Sequence, residues 1–216
     1  MTMISRLVRL VPVLAIAASL AGCGINTIPT RDEAVKASWG DVQNQYQRRA
    51  DLIPNLVATV KGYAAQEKDV LTAVTEARAS ATQVRVDAST ITNPAQFQQY
   101  AAAQDKLSGV LGRLMMIQEN YPELKSNTNF LALQSQLEGT ENRIAVARTD
   151  YNDKVRLYNT SLRTFPTVIW AKTLYGEQKP ALPFSAAVSA QTAPTVSFDA
   201  TAPAAAPAPT AAPATK

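Results

Sequence analysis

An apolar stripe that keeps helical phase across a proline constrains this chain more than any other feature. Val35, Trp39, Val42, Tyr46, Ile53, Leu56, Val60 and Ala64 recur at alternating steps of three and four, with one seven-residue step on the approach to Pro54. That spacing lines one face of a helix, and a face this long must be buried against other helices. Pro54 is the point of decision. Inside a helix its ring meets the carbonyl of Ala50 and deletes a hydrogen bond, at a cost of about 3 kcal/mol; in a first turn no donor is needed. Asp51 can cap a new helix. The sequence therefore predicts a first helix from Thr30 to about Ala50, a tight corner over Asp51 to Ile53, and a second helix from Leu52 or Ile53. The unbroken phase of the stripe leaves one long kinked helix as the alternative.

The same reasoning orders the rest. Residues 24–29 read as a short tether, and Thr30 to Glu33 has the T-x-x-E spacing of a capping box. The second helix carries Leu56, Val60, Ala64, Leu71, Val74, Ala77 and Ala81 and fades into a polar loop at Asp87 to Thr90. Asn93-Pro94 offers an N-cap followed by proline at the first helical position. A third seam then follows through Phe97, Tyr100, Leu107, Leu111, Leu114 and Ile117 to Tyr121-Pro122. A fourth helix should start near Ser126 or Asn127 and run to about Arg163, on Leu133, Leu137, Ile144, Ala147, Tyr151, Val155, Tyr158 and Leu162. Val168, Ile169, Trp170, Leu174 and Gly176 suggest a short capping helix or hydrophobic strap. From residue 179 the composition turns to alanine and proline, with seven of the 13 prolines, and reads as a disordered tail of polyproline character. The expected fold is all-α, an antiparallel four-helix bundle over residues 30–178; a coiled-coil dimer also satisfies the pattern, and the oligomeric state stays open.

Residues 1–22 carry Arg6 and Arg9 and then an apolar run from Leu10 to Ala21, shorter than the ~20 residues a membrane span needs. Leu20-Ala21-Gly22 precedes Cys23, the chain's only cysteine. This reads as a lipoprotein signal peptide whose cleavage leaves Cys23 as a lipidated N-terminus, with an uncleaved anchor as the alternative. By resemblance to lipoproteins Cys23 would carry several acyl chains, enough for stable attachment to membrane lipid. The residue after it is Gly24 rather than aspartate, which in a Gram-negative cell suggests the outer membrane, on its periplasmic face.

Loss of Arg6 and Arg9 lowers the basic count from 21 to 19 against 17 acids, a net charge of +2. Charges alternate along the helices without a basic, aromatic-interleaved face, so nucleic-acid binding has no electrostatic footprint. Histidine is absent and the one cysteine is used by the anchor, which removes the commonest general base, metal ligand and thiol nucleophile together. There is no G-x-S-x-G, S-x-x-K, Gly-rich phosphate loop or E-x-x-H motif. No catalytic residue, metal site or cofactor is expected.

Three stretches resemble the LemA family: QYQRRADLIPNLVATVKGYAAQE (45–67), LGRLMMIQENYPELKSNTNFLALQSQLEGTENRIAVARTDYN (111–152) and YNTSLRTFPT (158–167). The resemblance implies a four-helix bundle held to a membrane by its N-terminal segment, with no established enzymatic activity. Many relatives use a spanning helix where this chain has a lipobox. The family's motif residues fall here on Arg48, Arg49, Asp51, Pro54, Asn55, Lys61, Tyr63, Glu67, Glu119, Asn120, Tyr121, Pro122, Glu141, Asn142, Arg143, Arg148, Tyr151 and Asn152. Two roles are open to them: corner caps and interhelical pairs, or a docking surface for an envelope protein built on arginine and tyrosine. With a corner at Asp51, helices of alternating direction bring Arg48, Arg49, Asp51 and Asn55 to Glu119, Asn120 and Tyr121 at the end away from the membrane. An exposed Arg49 there would tolerate Arg49→Glu with little loss of stability. The leading functional expectation is a lipid-anchored scaffold or adaptor. Its rivals are an envelope enzyme acting through Glu67, Glu119 and Glu141, and a cell-wall spacer acting through the Ala/Pro tail.

Overall fold

The computed structural model describes residues 24–84, 86–87 and 89–185. Cys23, the signal segment 1–22 and tail residues 186–216 lie outside them. Among the described residues the chain is all-α, without strands: α1 (Thr27–Tyr63), α2 (Lys68–Gln83), α3 (Pro94–Ile117), α4 (Pro122–Lys125), α5 (Thr128–Ser161) and α6 (Thr167–Thr173), with single 3-10 turns at Thr90–Thr92 and Gln118–Asn120.

The corner expected at Asp51 does not exist. α1 continues through Pro54 for 37 residues, about 55 Å at 1.5 Å per residue. The physical reason lies on α2, where Arg78 Nε donates to the Ala50 carbonyl at 2.8 Å. That carbonyl is the one a proline at position 54 leaves without its helical donor, and the pyrrolidine ring itself sits on the exposed face. The turn comes later, at Ala64 to Glu67, where fully buried Ala64 lets α2 fold back close against α1. The start of α1 also differs from expectation. Thr27 to Pro29, assigned to the tether, are already helical, Ile28 is fully buried, and no side chain caps the first turn.

The starts of α3 and α5 follow the sequence. Asn93 Oδ1 accepts from the amides of Ala95 and Gln96, with Pro94 beginning α3, and Asn127 Oδ1 accepts from Phe130 N at 2.9 Å to begin α5. Helix directions can be read from the contacts. Arg31 to Leu157, Arg49 to Glu141 and Tyr63 to Asn127 run α5 antiparallel to α1, and the Ala64 turn with the Arg78 to Ala50 bond runs α2 antiparallel to α1. α3 lies along α2, tied by Gln104 Nε2 to the Ala81 carbonyl.

The buried stripe residues form two apolar bodies. One gathers Ile53, Leu56, Val60, Val74, Leu107, Leu114 and Phe130; the other gathers Ile28, Val35, Trp39, Tyr100, Tyr151, Val155 and Tyr158. The second is closed by residues expected to be tail. Ala181 and Phe184 are buried, and the stretch 181–185 is an extended strap along α5. Phe184 N and O pair with the Asn152 amide at 2.8 and 2.9 Å, and Ala181 N and O pair likewise with Asn159 at 2.9 and 2.8 Å. Leu182 N donates to Ile91 O. The folded unit therefore extends past residue 178, because two asparagine side chains satisfy the backbone of a Pro-flanked segment that cannot form a helix.

Candidate functional site

Arg49 lies between the two apolar bodies and is 1% exposed. On α1 it falls between Tyr46 and Ile53, which belong to opposite bodies; Gln104 on α3 and Glu141 on α5 occupy the same level. Its guanidinium is held from three sides. Nη1 donates to Ser108 Oγ at 2.6 Å and to Glu141 Oε1 at 2.7 Å, and Nη2 donates to Gln104 Oε1 at 2.6 Å and to the Gln104 carbonyl at 3.2 Å. Gln104 passes the chain on to Ala81 O of α2. Arg49 thus ties α1 to α3 and α5, with Gln104 extending the layer to α2, and a buried charge is tolerated because it is paired and hydrogen-bonded. Arg49 also lies over the Tyr46 ring at 5.1 Å, and burial pushes the Tyr46 hydroxyl above its ordinary range. Tyr46 OH and Arg49 Nε have no hydrogen-bond partner among the described residues.

The remaining members of the expected docking cluster separate. Arg48, Asp51 and Asn55 are exposed along the outer side of α1, where Asp51 accepts from Gln47 at 2.7 Å within the same helix. Glu119, Asn120 and Tyr121 lie at the turn beyond α3, and Tyr121 OH donates to Glu67 Oε1 at 2.9 Å. That bond holds the tyrosine hydroxyl above its ordinary range. Glu119 is taken by Lys125 at 3.0 Å. From Arg49 to the end of α1 at Tyr63 is about 21 Å at 1.5 Å per residue. The expected meeting of the Arg48 group with the Tyr121 group therefore does not occur, because a helix that does not turn at Asp51 carries its corner to Ala64. What meets Tyr121 is Glu67, and what meets Asn127 is Tyr63, at 2.9 Å.

Glu67, Glu119 and Glu141 do not converge either. Each has a different partner on a different element: Tyr121, Lys125 and Arg49. A groove between α3 and α5, lined by Ser108, Leu111, Met115, Glu138 and Glu141, has a volume of about 520 Å³. Ser108 is the nucleophile-type side chain in it, and its oxygen faces a guanidinium rather than a base. Among the described residues no group of three or more Asp, Glu, His or Cys is placed to hold a metal ion, and no helix is long and apolar enough to cross a membrane.

Residues that the sequence reading left without a role complete the picture. Tyr151 OH donates to Leu182 O at 2.8 Å and Asn152 holds Phe184, so these two motif positions secure the strap. Arg148 lies over the Phe184 ring at 4.4 Å while reaching Asp105 on α3. Arg78 could have been sought by asking which cation takes the carbonyl that Pro54 orphans. Asn159 and Phe184 carry no such signal.

Magnetosome proteins MamQ 1 and MamQ 2 of Paramagnetospirillum magneticum are each 25% identical over 157 residues, covering 65% of this chain and 58% of the relative. The chain thus spans a little over half the length of these relatives. The family model that matches, over residues 38–198, takes in the Arg49 layer and the strap. The chain belongs to the LemA family.

Proposed function

We propose that the protein is a membrane-associated, non-enzymatic scaffold or adaptor of the cell envelope, in which an antiparallel four-helix bundle is held by an acylated Cys23 and presents its outer surface to a protein partner. One observation carries the reading. Glu67, Glu119 and Glu141 are dispersed and each is engaged by a different partner, while Arg48, Asp51 and Asn55 leave an exposed polar face on α1. The family relationship supports it, as do the relatives named as magnetosome proteins. On this reading Arg49 organises the bundle and the exposed α1 face does the docking, in the compartment a lipobox implies.

In-cell crosslinking followed by mass spectrometry tests the proposal. It expects a recurrent envelope protein joined through side chains near Arg48 and Asn55, with the crosslink lost when Arg48 and Asp51 are reversed in charge. Several crosslinkers of different reach that all return nothing above background would overturn it.

A further inference from the structure

The end of the molecule where α1 begins carries large apolar side chains that the fold does not cover. Phe165 is 80% exposed, Ile169 47% and Leu174 58%, all within ten residues of one another. α6 accounts for part of this arrangement. Thr167 is buried and Trp170 and Ala171 pack against the second apolar body, so at 100° per residue Ile169 and Lys172 share the outward side. From Asp153 to Glu177 the chain carries Lys154, Arg156, Arg163 and Lys172 against the two terminal carboxylates, of which Asp153 takes Arg156 at 3.4 Å.

The N-terminal segment reaches the same end. A β-carbon at Gly24 would stand 3.3 Å from Thr167 Cγ2 and 3.7 Å from Trp170 Cδ1, and Gly24 lies three residues beyond the last residue of the apolar run Leu10 to Ala21. Consecutive Cα atoms are at most about 3.8 Å apart, so any membrane attachment through Cys23 or the run before it keeps α6 within a few residues' reach of the bilayer. We propose that the α5 to α6 turn and the outer side of α6 form a bilayer-docking tip, with Phe165 and Ile169 seated among acyl chains and Arg163 and Lys172 at the phosphates. Aromatic and aliphatic groups beside cations are what interfacial insertion requires. The tip rests on the membrane attachment proposed above, and either mode of attachment serves it.

The test uses the full chain incorporated into vesicles of phosphatidylethanolamine and phosphatidylglycerol that contain a phospholipid with a diazirine in its acyl chain. After illumination, lipid adducts are mapped by mass spectrometry. Adducts are expected between Arg163 and Leu174 and absent from Met116 and Leu131, which are exposed to comparable degrees at the far end. The double substitution Phe165→Ser with Ile169→Ser should abolish the adducts while the melting temperature and sedimentation with vesicles are retained. A chain that sediments with vesicles yet shows no adducts on this tip, or equal adducts at both ends, overturns the docking tip and leaves the attachment standing. A chain that stays in the supernatant overturns both.

Discussion

Arg78 donates from Nε to the backbone carbonyl of Ala50 at 2.8 Å, four residues before Pro54. A proline inside a helix is costly for two reasons, ring crowding and a lost hydrogen bond, and a cation from the neighbouring helix offsets the second. The two sites should therefore be coupled. Arg78→Ala leaves the carbonyl of buried Ala50 unpaired and is expected to lower stability by about 1–3 kcal/mol. Pro54→Ala restores the donor, so the Arg78→Ala loss should shrink in that background. Urea denaturation of the two single variants and the double variant measures the coupling; strict additivity would show that Arg78 does not compensate for the proline.

Arg49 is the second case where burial decides the outcome. At 1% exposure it cannot be the tolerant surface residue that the expected corner implied. Arg49→Ala should cost about 3–5 kcal/mol, because it empties a large buried side chain and leaves Ser108 and Gln104 unpaired, and Arg49→Glu should leave no stable fold by placing a carboxylate against Glu141. Glu141→Gln keeps an acceptor but removes the counter-charge of a guanidinium that is 1% exposed, so it should cost about 1–3 kcal/mol, less than Arg49→Ala because Glu141 itself is 42% exposed. Melting curves separate the pair, since 1 kcal/mol shifts a domain of this size by about 2–4 °C.

The legible parts of the sequence were those that local physics decides. The three-four stripe placed Val35, Trp39, Val42, Tyr46, Leu56 and Val60 inside, and all are buried; Asn93-Pro94 and Asn127 marked helix starts that exist. The failures at Pro54, Arg49 and the strap have one cause, a distant partner that changes the value of a local signal. Pro54 reads as a breaker until Arg78, 28 positions beyond Ala50, takes the orphaned Ala50 carbonyl. Arg49 reads as a surface charge until Gln104, Ser108 and Glu141 arrive from two other helices. Residues 181–185 have no periodicity to read, and their burial depends on asparagines of α5.

The strap yields a third expectation. Phe184 completes an aromatic group with Trp39, Phe97 and Tyr151, at ring separations of 5.8, 4.9 and 5.5 Å. Phe184→Ala should cost about 3–5 kcal/mol as a large-to-small change in a packed core. Asn152→Ala removes both bonds to the Phe184 backbone and should cost about 1–3 kcal/mol. Hydrogen exchange at the amides of Ala181, Leu182 and Phe184 reads this locally. Exchange as fast as in the unfolded chain, already in the unsubstituted protein, would show that the strap does not stay docked.

Alkaline pH should attack the second apolar body through its tyrosines. Burial pushes Tyr158 up to about 12, and raises Tyr46, Tyr100 and Tyr151 as well, because the phenolate is disfavoured away from water. In an unfolded chain these phenols ionise near ~10, so above that pH the unfolded state sheds protons that the folded state retains. The stability they contribute is intact below ~10 and is lost as pH rises toward 12 and beyond. Tyrosinate absorbance and far-UV circular dichroism, followed together, should show these four rings ionising in step with loss of helix, whereas in concentrated urea all seven tyrosines should titrate near ~10. Tyr158→Phe removes one titrating group together with its bond to Gln178 at 2.8 Å. It should make the alkaline transition shallower while costing about 1 kcal/mol at neutral pH. Full ionisation near ~10 with the helical signal intact would show that the rings are open to water and that the second body is not packed around them.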